Sequence, residues 1–196
     1  MKARMAEFNP QLLENKAWDR YARVVKRKNL TTARKNREAN KLSDEIAAIN
    51  GLRVVIDWCN LRRIGVVFTN RRPAGVYQIE EKTIYINSRQ SLEKQLFVLL
   101  HECGHLLIDD RSESTELRFK HGYYTEDKNV RRRFVHRCTV VEEEFEAWHR
   151  GRKLATKLGI QINDERFSAL KAWMLKSYMK WALHDPNYQE DGPEYL

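Results

Sequence analysis

Apolar residues recur at helical spacing along most of the chain, interrupted near its middle by three short runs of β-branched and aromatic residues. From about residue 10 to residue 61 the pattern reads as helical, with Trp18, Tyr21 and Val25 on one face, a break near Asn29-Leu30-Thr31-Thr32 and a second expected at Asn50-Gly51. The period then changes. Residues 64–68, 75–79 and 83–86 alternate or run apolar and are separated by Asn70-Arg71-Arg72-Pro73 and Glu80-Glu81-Lys82, which predicts three strands. Ser91 is a helix cap, and Leu92, Leu96, Leu99, Cys103 and Leu106 then define the core face of a largely buried helix. Residues 109–139 are polar and aperiodic, a length more often functional than connective. A helix follows from about 139 to 158. Another spans 164–184 with Phe167, Leu170, Met174, Tyr178 and Trp181 in register, before an acidic stretch expected to fray. The pattern predicts an α+β fold, a small, mostly antiparallel sheet packed against a buried helix. It divides the chain into a basic helical region (1–62), a core (63–160) and a C-terminal helix with an acidic tail (161–196).

Composition narrows this further. A chain of 196 residues suits one domain with appendages. The longest apolar run in its middle, Leu96-Phe97-Val98-Leu99-Leu100, is far short of a bilayer span, so no membrane association is expected. Three cysteines, Cys59, Cys103 and Cys138, are too few and too scattered for a disulfide framework. The charged first residues show no secretory signal, and cytoplasmic residence is the expectation. Net charge is +9, and most of the excess lies between residues 19 and 41, where nine basic residues face two acidic ones. Arg20, Arg23 and Arg27 recur on one helical face, with Arg34 following in the next segment. Such a row is a solvated face, or a contact for nucleic acid or for an acidic protein.

The chemistry sits in His101-Glu102-Cys103-Gly104-His105. In a helix, one turn separates the two imidazoles, so both can ligate one zinc ion, while Glu102 points about a quarter turn away and can take a proton from water at the open coordination position. Cys103 falls on the opposite, apolar stripe and reads as a small core residue.

A catalytic zinc needs a third protein ligand. Among Glu142, Glu143, Glu144 and Glu146, periodicity selects Glu144, which alone interrupts the stripe Val140, Ala147, Gly151, Leu154, Leu158. A carboxylate buried there needs a metal or a cation, and a Glu144–Arg ion pair is the plainer alternative. Glu142 and Glu146 share a face with His149 and Lys153 and read as exposed. His121 and His136, in the polar segment, are rival ligands. His121, Tyr123, Tyr124 and His136 are all candidates for donating a hydrogen bond to substrate or to a developing oxyanion.

Over roughly residues 61–158 the chain resembles the ImmA/IrrE family of zinc metallopeptidases. The likeness rests on Thr83-Ile84-Tyr85-Ile86-Asn87, on Leu99-Leu100-His101-Glu102-Cys103-Gly104-His105-Leu106-Leu107, and on Glu144-Phe145-Glu146-Ala147. It implies an α+β zincin-like fold, Glu144 as third ligand, and intracellular limited proteolysis of a specific protein, in known cases a DNA-binding repressor. Family members occur in phages and mobile elements. One position departs: Trp148 stands where the family commonly has Asn or Asp after the E-x-E-A segment, and an indole cannot accept a hydrogen bond from a metal-bound imidazole. The reading is therefore a zinc endopeptidase with His101, His105 and Glu144 as ligands and Glu102 as general base. The alternatives are a nucleic-acid-associated protease similar to Spartan, with His121 completing the site, and a non-catalytic protein braced by zinc that binds nucleic acid or an acidic partner.

Overall fold

The computed structural model describes residues 8–26, 31–70, 75–78, 81–109, 129 and 133–183. Helix α1 (Pro10–Val25) opens on Asn9, whose side chain accepts from the Leu12 N–H at 2.9 Å, with proline in the first turn. Helix α2 (Thr32–Asn60) is capped by Thr31. Strands β1 (Gly65–Thr69), β2 (Gly75–Gln78) and β3 (Thr83–Asn87) follow, then α3 (Leu92–Asp109), α4 (Phe134–Lys157) and α5 (Asp164–Leu183). Ser91 caps α3 by accepting from the Lys94 N–H at 3.3 Å. No described helix is long and apolar enough to cross a membrane.

The α+β class is as expected, and three details differ. The break anticipated at Asn50-Gly51 is absent, because Gly51 faces α3 inside a continuous α2. A Cβ there would lie 2.8 Å from a Leu96 methyl and 3.1 Å from Ile160, so this glycine serves close packing and does not end the helix. The sheet is mixed: its order is β1-β3-β2, with β1 parallel and β2 antiparallel to β3. Strand β3 takes the centre because Ile84 and Ile86, both fully buried, gain most from being covered on every side. Helix α4 begins at Phe134, earlier than the polar residues around it suggest, because His136 and Val140 bury one turn apart against the end of α5.

The main core joins α2, the sheet and all three later helices through residues such as Leu52, Val55, Ile84, Leu99, Trp148 and Phe167. The Phe167 ring meets Phe97 edge-on at 5.1 Å and Trp148 at 5.3 Å, which ties α5 to both α3 and α4. Cys103 is fully buried as expected, with its sulfur 3.6 Å from that of Cys59 on α2.

The crossing of α3 and α4 positions everything that follows. A Cβ on Gly104 would run into the carbonyl oxygen of Ala147, and one on Gly151 into the carbonyl oxygen of Leu100. The two backbones touch at both points, closer than helices separated by ordinary side chains at 8–10 Å. Arg150 pins the far end by donating to the Leu107 carbonyl and to Glu146. Gly104→Ala and Gly151→Ala should each force the helices apart. An overpacking cost of about 1–3 kcal/mol is expected, read as a fall of several degrees in melting temperature together with weaker metal binding.

Candidate metal centre

Helix α3 presents His101 and His105 on one side, and α4 brings Glu144 to meet them. His101 Nε2 lies 3.2 Å from one Glu144 carboxylate oxygen, and His105 Nε2 lies 3.5 Å from the other. The imidazole centroids are 4.7 Å apart and nearly perpendicular. One ligand atom from each of the three residues falls within 4.8 Å of the others, so the group could hold a metal ion. His101 is 4% exposed and Glu144 is 1% exposed. Glu144 thus meets the imidazole pair, which is the buried partner that its place in an apolar stripe demanded.

Burial alone would raise the Glu144 pKa, but the two imidazoles outweigh it and hold the carboxyl well below the usual range. Burial likewise pushes His105 down, and Glu144, Glu143 and Glu102 together hold it well above its ordinary value. Glu102 is different. Burial raises it, offset in part by His101 and His105 and by a backbone hydrogen bond from Tyr77. Its carboxylate lies under β2, where a Cβ on Gly75 would come within 2.9 Å of Oε1.

Two contacts around the imidazoles were not legible in the sequence. Glu143 is buried, and its carboxylate lies 3.5 Å from His105 Nδ1, so it can orient that ring. Nothing in the spacing of four clustered glutamates singles it out. Trp148 lies flat on His101 at 4.4 Å between centroids and 22° between planes. Among the described residues, neither His101 Nδ1 nor Trp148 Nε1 has a hydrogen-bond partner. Stacking therefore stands where an acceptor would otherwise fix the ring.

His136 separates from this group. His136 lies in α4, eight residues before Glu144 and so about 12 Å along the axis. It is buried with its ring edge-on to Trp181 at 6.5 Å. His121, Tyr123, Tyr124 and Arg27 lie outside the described residues. Glu142 and His149 are exposed as expected, whereas Glu146 is half-buried against Arg150. Of the basic residues on α1 and α2, Arg23 and Arg34 are exposed and Arg20 pairs with Glu45.

Two outcomes follow. His105 titrates above its ordinary 6.5 in the metal-free protein, so its contribution to stability is present below that pH and is lost as pH rises through the folded-state value. Glu144 contributes above its ordinary 4.5 and loses that contribution only as pH falls toward its lowered value. The metal-free melting temperature should therefore decline from pH 6.5 toward alkaline pH, while affinity for an added divalent metal ion should rise over the same interval as His105 gives up its proton. Separately, Trp148→Phe keeps a ring on His101 and should hold the added metal within about threefold of the parent chain. Trp148→Ala should lose metal affinity by about tenfold or more in a fluorescence-independent chelator competition.

No curated protein and no solved structure matches the chain. Residues 65–158 match the Peptidase M78 family, described as the IrrE N-terminal-like domain, and this span holds the sheet, the His101-Glu102-Cys103-Gly104-His105 segment and Glu144. With both imidazoles, the general-base candidate and the converging carboxylate inside the matched span, residues 65–158 are similar to the IrrE N-terminal-like domain of that peptidase family.

Proposed function

We propose that the protein is a zinc-dependent endopeptidase that cleaves a specific protein substrate inside the cell. The observation that carries this reading is the position of Glu102: its carboxylate is on the same helix turn as the two imidazoles, yet its backbone partner is Tyr77 on β2. Among the described residues β2 pairs only with β3 and is one of the two edges of the sheet. An extended peptide could add to that edge by main-chain hydrogen bonds, bringing a carbonyl over Glu102.

His101, His105 and Glu144 would hold the ion, and a donor set of two imidazoles and one carboxylate suits zinc. Bound there, zinc would supply Lewis-acid polarisation of the peptide carbonyl and lower the pKa of water. Glu102 would accept the proton of the attacking water on its carboxylate and pass it to the departing amine nitrogen. Its upward displacement brings it nearer to the pH at which a carboxylate exchanges protons effectively. Glu143 and Trp148 would keep His105 and His101 in the ligating orientation. The setting in this reading is the cytoplasm, and a DNA-binding repressor is one substrate class consistent with the family resemblance.

Glu102→Gln is isosteric and leaves the ligand set intact. It should keep zinc at the parental stoichiometry while cleavage of an unfolded protein substrate falls by about 10²-fold or more. Glu144→Ala should lose the zinc itself. Unchanged cleavage by the Gln variant would exclude Glu102 as the base.

A further inference from the structure

Away from the metal centre, α1, the first half of α2 and the turn from β3 into α3 enclose a groove of about 1260 Å³. Its floor is apolar, formed by Phe8, Leu12, Leu13, Phe68 and Leu92. Phe8 stacks on Phe68 at 5.3 Å and anchors the start of α1 to the sheet. Helix α1 itself buries only Ala17 fully, and Leu12 remains 49% exposed at the groove.

The walls are charged in a particular way. Five cations (Lys16, Arg20, Arg37, Lys41 and Arg166) and three acids (Asp44, Glu45 and Glu93) line them. All three acids are already engaged: Glu45 by Arg20, and Asp44 and Glu93 by Arg166 at 2.8 and 3.2 Å. Among the described residues, Lys16, Arg37 and Lys41 carry no ion pair. What is left over is therefore positive charge above an apolar floor.

Three kinds of occupant differ in how well they fit. The volume exceeds that of an ordinary small-molecule pocket. A nucleic-acid backbone is drawn to cations, but it gains nothing from the leucine and phenylalanine floor. An amphipathic helix about 10–12 Å across would lay apolar side chains on the floor and acidic ones against Lys16, Arg37 and Lys41.

We propose that this groove docks an acidic amphipathic helix of the protein substrate. Leu92 in its floor and His101 lie nine residues apart on one helix, about 14 Å along its axis. A substrate held there is within reach of the metal centre, and its identity as substrate rests on the peptidase function proposed above. Docking itself does not.

The full-length chain is titrated with a fluorescein-labelled peptide of about 18 residues, five helical turns, with leucines on one face and glutamates on the others. A scrambled peptide of the same composition and a duplex DNA of about 20 base pairs serve as comparisons. Anisotropy should show the amphipathic peptide binding at least tenfold more tightly than the scramble. Leu12→Asp and the double reversal Lys16→Glu/Lys41→Glu should each cost about tenfold or more. Leu12 is half exposed and both lysines are exposed, so the fold should tolerate these changes, and Leu12→Gln is a milder second variant that should cost severalfold. Equal binding of peptide and scramble, parental binding by the variants, or DNA binding that exceeds that of the peptide and falls with the lysine reversal would each overturn the proposal. Casein cleavage by the same preparations reads the peptidase separately. Lost docking with intact cleavage removes the groove alone, and docking without any cleavage supports the groove while removing the peptidase reading.

Discussion

Everything chemical in this protein depends on how closely α3 and α4 cross. Gly104 lies against Ala147 and Gly151 against Leu100, so backbone meets backbone at two points along the contact. Only at that separation can a carboxylate on α4 reach two imidazoles on α3 directly. The same crossing carries Glu143 to His105 and Trp148 onto His101, because each lies within one turn of Glu144. Cys103, on the opposite side of α3, packs into α2, so the helix bearing the histidines is held from both faces.

The burial that this crossing imposes sets the electrostatics. Imidazoles and carboxylates removed from water are tolerable because they answer one another. Two carboxylates close together are nevertheless driven in opposite directions: Glu144, facing both rings, is held low, and Glu102, under the edge strand, is raised. That divergence suits one for holding a cation and the other for exchanging a proton. Gly75 makes the second environment available, because a side chain there would collide with Val98 and Glu102 and lift β2 away.

The positive charge of the chain acquires a more specific meaning in three dimensions. Its concentration in residues 19–41 reads along the chain as a single basic stripe. Folded, the stripe divides: Arg20 is engaged with Glu45, Arg23 and Arg34 face solvent, and Arg37 and Lys41 turn toward a groove floored by apolar residues from three parts of the chain. A uniform polyanion-binding surface and a groove for an acidic helix have nearly the same composition. They differ in what lies between the charges.

Local spacing alone marked the three strands and most of the helical stretches, the His101-Glu102-Cys103-Gly104-His105 face, the burial of Cys103 and Glu144 as a carboxylate set in an apolar stripe, because each is written in periods of two or 3.6 residues. What period cannot express is contact across the chain. The central place of β3, the continuity of α2 through Gly51, the approach of Glu143 to His105 and the groove beneath α1 all follow from which elements lie side by side, and only the tertiary structure decided them. Trp148 joins the two levels: the sequence marked it as lacking a hydrogen-bond acceptor, and packing gave it another way to hold the ring, since a flat indole pressed on His101 restricts rotation by contact.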